Sequence, residues 1–199
     1  MRAGYSLIAV ALLLAGCAPQ TSAADPSATP TSGEPTPTET AAPTVAFSMP
    51  TECAQILPEA RVEAWLSDDI VLLGGPGGKY GDEYLADPSP EQQLGGITCI
   101  WGPNDSENSS VTVSVAPLSA ATRTDVVTDL VVTQGLNEEA FQGATIYWQQ
   151  GDTELEPAIL NVLRAESWIS VIVTIGGEDS YADAEDIADE VFALVYQPA

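Results

Sequence analysis

The sequence predicts an α+β domain in which helices pack on an antiparallel sheet. One disulfide ties the domain, and a signal peptide and a disordered tether precede it. Three observations carry this. From residue 51 onward the patterning runs helix, two strands, helix, three strands, helix, which suits an antiparallel sheet covered by helices. Before that point the chain is dominated by Pro, Thr, Ser and Ala and has no apolar period. The cysteines number three: Cys17, Cys53 and Cys99.

The opening segment comes first. Arg2 is the one charge in residues 1–16, and Leu7 to Leu14 is almost wholly aliphatic. A positive start before a short apolar core fits an export signal. The run is well short of the ~20 residues that span a hydrocarbon core. Leu14-Ala15-Gly16-Cys17 resembles the lipobox of bacterial lipoproteins, in which the thiol receives a diacylglycerol and becomes the first residue of the mature chain. That resemblance implies a membrane partner through lipid on Cys17, on the extracytoplasmic face. Two acyl chains provide the two signals that stable anchoring needs. The competing reading is an ordinary secretory signal with an incidental cysteine. The expected organisation is thus a signal over 1–16, lipidated Cys17 plus tether over 17–50, and one domain over 51–199.

The tether cannot bury enough apolar area to offset its conformational entropy, so its role is reach. In the domain, "PEARVEAWL" from Pro58 reads as a helix with Val62, Trp65 and Leu66 on one face, proline being tolerated at a first turn. "GITCIW" and "SVTVSVA" read as a hairpin across the turn-forming "GPNDSENS". In the second strand Val111, Val113 and Val115 alternate with Thr112 and Ser114, which predicts one dry and one wet face. Leu118 to Val132 has helical spacing in Val126, Val127, Leu130 and Val131. "ATIYWQQ", "AILNVLRA" and "WISVIVTI" are three further strands, the last apolar enough to be central. Ser180 to Tyr196 closes the chain as a helix with Ile187, Val191, Leu194 and Val195 inward, and Ser180 and Asp183 at capping-box spacing.

Lipid on Cys17 leaves Cys53 and Cys99 as a natural pair in an oxidising compartment. Two free buried thiols are the alternative on sequence alone. A formal net charge of −24 with five basic residues excludes a phosphate-tracking nucleic-acid surface.

"TECAQILPEARVEAWL" followed by "ITCIWG" resembles a family of actinobacterial lipoproteins known only as a domain of unknown function. Its members combine a lipobox, a Pro/Ser/Thr tether and a cysteine before a leucine–proline–helix element, with a second cysteine two residues before a tryptophan. The resemblance implies a Cys53–Cys99 disulfide with Trp101 beside it, and implies no activity. This chain departs from the pattern in its Thr-Glu-Cys and in the glycine-rich stretch from Gly74 to Gly81.

The chain has no histidine, which removes the serine and cysteine triads and imidazole metal sites. "LLGGPGGKYGDEY" lacks the phosphate-loop pattern, because Leu73 stands where glycine is needed and Tyr80 where Ser or Thr is needed. "GPNDSENSS" and "GGEDSYADAEDIADE" gather oxygens without the calcium-loop spacing, and the second suits a helix start. No catalytic residue, metal ligand or cofactor site is therefore assigned. Tyr80 and Tyr84, in the glycine-rich loop, are the candidate ligand contacts. The function expected is a membrane-anchored extracytoplasmic lipoprotein whose domain binds an envelope protein or small ligand, or serves as an accessory module. The alternative is a small envelope hydrolase using paired carboxylates. Cys17→Ala should move the protein from the membrane pellet to the soluble fraction on cell fractionation; equal retention of wild type and variant would refute the anchor.

Overall fold

The computed structural model describes residues 45–104 and 110–198. The signal segment, Cys17 and residues 18–44 of the tether lie outside the described residues, as does the core of the "GPNDSENS" turn. No helix among the described residues is long and apolar enough to cross a membrane.

The folded chain begins before residue 51. Val45–Phe47 forms strand β1, which pairs antiparallel with the last strand, β9 (Tyr196–Pro198). The Tyr196 ring explains the early start. It packs 5.6 Å from Phe47 and 4.6 Å from Phe192, so the residues on both sides of the final helix share one apolar patch.

The main sheet has seven antiparallel strands in the order β2-β3-β4-β8-β7-β6-β5. They are β2 (Ile70–Gly74), β3 (Ile97–Pro103), β4 (Val111–Pro117), β5 (Asn137–Phe141), β6 (Ala144–Gln149), β7 (Ala158–Leu163) and β8 (Ser167–Val173). The expected α+β architecture holds, and β8 is the middle strand as its two-sided apolar character required. β2 and β5, the edges, carry weaker apolar alternation and escape the sequence pattern. β5 reads Asn-Glu-Glu-Ala-Phe and is exposed along its whole length, and its charges blunt an open edge.

One face of this sheet is covered by α4 (Glu178–Val195). Ile187, Val191 and Val195 are buried there against Val113, Val115, Ile169 and Val171. Leu194, expected in the stripe, is 37 % exposed, and its neighbours Val191 and Val195 take the inward positions. The helix starts earlier than Ser180: Gly177, with φ 106°, is its N-cap, no side chain caps it, and the proposed Ser180–Asp183 box is not used. Glu178 and Asp179 still place negative charge in the first turn, where the dipole favours it.

The helix α1 (Glu59–Ser67) lies where the sequence put it, with Trp65 buried 5.5 Å from Trp101. Leu66 points out, 54 % exposed, because Trp65 takes the inward position. Arg61 locks α1 to α4. Its guanidinium donates to Asp183 at 2.8 Å and to Glu190, and stacks over the Trp65 ring. These ion pairs absorb two acids of the "GGEDSYADAEDIADE" run.

Cys53 and Cys99 are bonded, with 5.7 Å between Cα atoms and a sequence separation of 46. Both are fully buried. The bridge joins a short 3₁₀ turn, Cys53–Gln55, to β3, and Gly75 makes room for it. At φ 94° and with a Cβ position only 2.3 Å from the Thr98 carbonyl oxygen and 2.9 Å from Cys53 Sγ, that site admits no side chain. Cutting the bridge by Cys53→Ser with Cys99→Ser should lower unfolding stability by about 2–5 kcal/mol, the chain-entropy figure for this loop being about 4. Chemical denaturation of oxidised wild type and the double variant measures it.

Candidate functional site

The opposite face of the sheet is where alternation acquires a second meaning. Thr98, Ser114, Ser170, Asn161, Tyr147 and Glu138 stand opposite one another in register across β3, β4, β8, β7, β6 and β5. A single polar row thus crosses six strands. For β4 the sequence pattern predicted that Thr112 and Ser114 form a wet face. The structure corrects that: Thr98, Ser114, Ser170 and Asn161 are each only 2–3 % exposed. A second layer covers them.

That layer has two pieces. One is α3 (Ala120–Thr128), whose Ser119 caps Thr122, continued by a wider π turn at Asp129–Thr133. Val126 and Leu130 bury against Leu163, Trp168 and Tyr147 and form a second apolar cluster. Val131 faces outward, because the π turn, closed by Gln134 N–H donating to the Asp129 carbonyl, shifts the helical phase. The other piece is α2 (Pro90–Gln93), a single turn the sequence pattern missed. Its start is a full capping box. Ser89 Oγ accepts from Gln92 N–H at 3.2 Å, and Ser89 N–H donates to Gln92 Oε1 at 2.9 Å. "SPEQ" spells that box with Pro at the first helical position.

α2 sits close to β3 and β4 because Gly96 has no side chain. A Cβ there would lie 2.5 Å from the Val115 carbonyl oxygen and 2.6 Å from that of Glu91. Gly96 N–H instead donates to the Glu91 carbonyl at 2.9 Å. This fixes the turn and directs Glu91 inward, where it is 6 % exposed.

Between the two layers lies a cavity of about 320 Å³. Its floor is the polar row, Thr98, Ser114, Ser170 and Asn161; Ile100, Ile159, Ile172, Leu85 and Trp168 supply apolar walls, and Gln134 reaches it from the π turn. The hydroxyls are linked. Ser89 Oγ is 2.6 Å from Thr98 Oγ1, which is 2.9 Å from Ser114 Oγ. Trp168 Nε1 donates to Asn161 Oδ1 at 2.8 Å and holds that amide in place. Glu91 lines the same cavity, where Ser89 and Ser170 favour its charged form. Burial pushes its carboxyl above the ordinary glutamate range, and hydrogen bonds from its own backbone amide and those two serines offset only part of the shift. It is the one ionisable side chain among the described residues that line the cavity.

Tyr80 and Tyr84 are not brought there. Their rings stack at 5.8 Å on the glycine-rich loop, Tyr80 half exposed and Tyr84 resting over Gly74. Neither lines the cavity, although Leu85, the next residue, does. Among the described residues no cluster of three or more His, Cys, Asp or Glu side chains is placed to hold a metal ion. The residues missed by sequence reasoning did leave a trace. Each of four apolar strands carries a polar residue near its middle: Thr98 in "ITCI", Ser114 in "VSV", Asn161 in "ILNVL" and Ser170 in "WISVIV".

Comparison with protein-family models, with curated proteins and with solved structures gives no match for this chain.

An acid raised above its ordinary value binds its proton more tightly in the fold than unfolded. Stability from Glu91 is therefore intact below the ordinary value and declines as pH rises from there through the raised one. Glu91→Gln should melt a few degrees above wild type at neutral pH, with the difference vanishing toward pH 4 by calorimetry. A constant offset across that range would show that ionisation at this site carries no cost.

Proposed function

We propose that the chain is a lipid-anchored extracytoplasmic protein whose domain is a binding or accessory module, taking a small ligand into the Glu91 cavity. The observation that carries the ligand site is the juxtaposition of a 320 Å³ space with a polar floor and a carboxyl that is 6 % exposed. Sites for small molecules are concave, apolar-walled and supplied with a few placed polar groups. Anchoring through Cys17 and membership of the actinobacterial lipoprotein group rest on the lipobox, the tether and the cysteine spacing.

Hydrolysis by paired carboxylates is the second reading. The Glu91 cavity holds a single carboxyl, whereas an acid and its partner must both face the scissile bond. Carboxylates do gather in a groove between α4 and β5, where Glu139, Glu185, Asp186 and Asp189 line the wall. Burial and the neighbouring acids raise the Glu185 carboxyl there. That groove is where this reading would apply.

Native mass spectrometry of the full-length protein, extracted from its own envelope in detergent, tests the binding reading. The wild type should carry a small-molecule adduct that Ser170→Val with Glu91→Ala loses while still fractionating with membranes. Identical adduct-free spectra for both proteins would overturn it.

A further inference from the structure

The chemistry of the Glu91 cavity specifies a ligand class; the inference rests on that cavity being the binding site. Hydrogen-bond accounting begins at Ser89. Its Oγ accepts from Gln92 N–H and contacts both Glu91 and Thr98. Each hydroxyl has one proton to give. With Glu91 ionised, the consistent arrangement is a chain in which Ser114 donates to Thr98 and Thr98 to Ser89, which leaves the Ser89 proton, like that of Ser170, to favour the carboxylate beside it. Bonds aligned this way reinforce one another. The hydroxyl protons of Ser89, Thr98, Ser114 and Ser170 are then committed, so these four side chains offer the cavity oxygen lone pairs, while the Asn161 amide, its oxygen taken by Trp168, offers N–H.

The charge balance points the same way. Hydroxyl donors stabilise a carboxylate without neutralising it, and no Lys or Arg is among the described residues lining the cavity. A carboxylate buried without an opposite charge is costly. The net charge of −24 sets up a field that concentrates cations and repels anions. The apolar walls of Ile100, Ile159, Ile172 and Leu85 suit a short hydrocarbon body, and the Trp168 indole adds an aromatic surface.

We infer that the cavity binds a small organic cation, a primary or secondary ammonium whose N–H groups meet the Glu91 carboxylate and the lone pairs of Thr98, Ser114 and Ser170 and whose short body lies against the isoleucine wall. A divalent metal is a poorer match, because one carboxylate and neutral hydroxyls give too little charge to replace its water. When the cation meets a protonated Glu91, the carboxyl proton leaves to solvent as the ion pair forms, so binding releases up to one proton. Among the described residues, no other titratable side chain faces Glu91 from the cavity walls supplied by β3, β4, β7, β8 or Gln134.

Titration calorimetry of the full-length protein in detergent, with n-butylammonium and cyclohexylammonium against 1-butanol and cyclohexanol, tests this. Binding of the amines, proton release judged from buffers of different ionisation heat, and about a tenfold or greater weakening in Glu91→Gln with little change for the alcohols support it. Leu155→Ala, 87 % exposed and outside the cavity, should bind amines as wild type does, and a cooperative melting transition in Glu91→Gln guards against general loss of fold. Alcohols binding better than amines, with proton uptake or none, would overturn the cation class and leave the cavity as a site for a neutral ligand. No heat from either set, together with no adduct on the envelope-extracted protein, would remove the cavity reading itself.

Discussion

The pairing of β4 with β8 is the constraint on which the rest of the molecule depends. Seven residues of each strand match without interruption, from Val111 opposite Val173 to Pro117 opposite Ser167. This ladder joins the β2-β3-β4 unit, which carries the disulfide, to the β5-to-β8 meander that returns from the far edge. Because side chains alternate with a period of two, a slip of one residue would exchange the faces of a strand. Val113 and Val115 would leave the α4 interface, and Ser114 would enter it unpartnered. Packing on one face and polar composition on the other are therefore two readings of the same register.

The disulfide and its neighbours set the depth of the α4 face. Cys53, Cys99, Trp65 and Trp101 belong to the apolar cluster that also takes in Val113, Val171 and Val191. Covalent closure is one contribution. The other is that a half-turn too short to bury much surface, Cys53–Gln55, is held against β3 by a bond and not by area. Gly75 belongs to the same construction, since just past the end of β2 the lack of a side chain leaves room for the Cys53 sulfur and the Thr98 carbonyl. Arg61 completes it from outside, tying α1 to α4 over the Trp65 ring.

How much of this was readable beforehand follows from which forces act locally. Strands with strong alternation and helices with a clean apolar stripe announce themselves, so β3, β4, β6, β7, β8, α1 and α4 were legible. β1 and β9 were not, because three-residue strands have no period to detect and exist through the Phe47–Tyr196 contact, a partnership across almost the whole domain. The edges β2 and β5 are five residues each but lack a clear apolar alternation. Tyr80 and Tyr84 drew attention as aromatic residues on a glycine-rich loop, yet the cavity formed elsewhere. Its residues are unremarkable one by one. Thr98, Ser114, Ser170 and Asn161 become a site only when four strands align, and "SPEQ" becomes a roof only when Gly96 lets it descend. Periodicity reveals which face a residue takes; what covers that face is a property of the whole topology.

The short β1–β9 ladder has a mechanical consequence. Tension arriving from upstream of Val45 enters the domain through three paired residues, reinforced by Ser48 N–H donating to the Val195 carbonyl at 2.8 Å. Such a strap gives way before a seven-residue ladder does, and the slack it releases ends at Cys53, where a covalent bond hands the load to Cys99 on β3. Force applied at Val45 thus peels a replaceable fastening and then meets a hard stop at the disulfide.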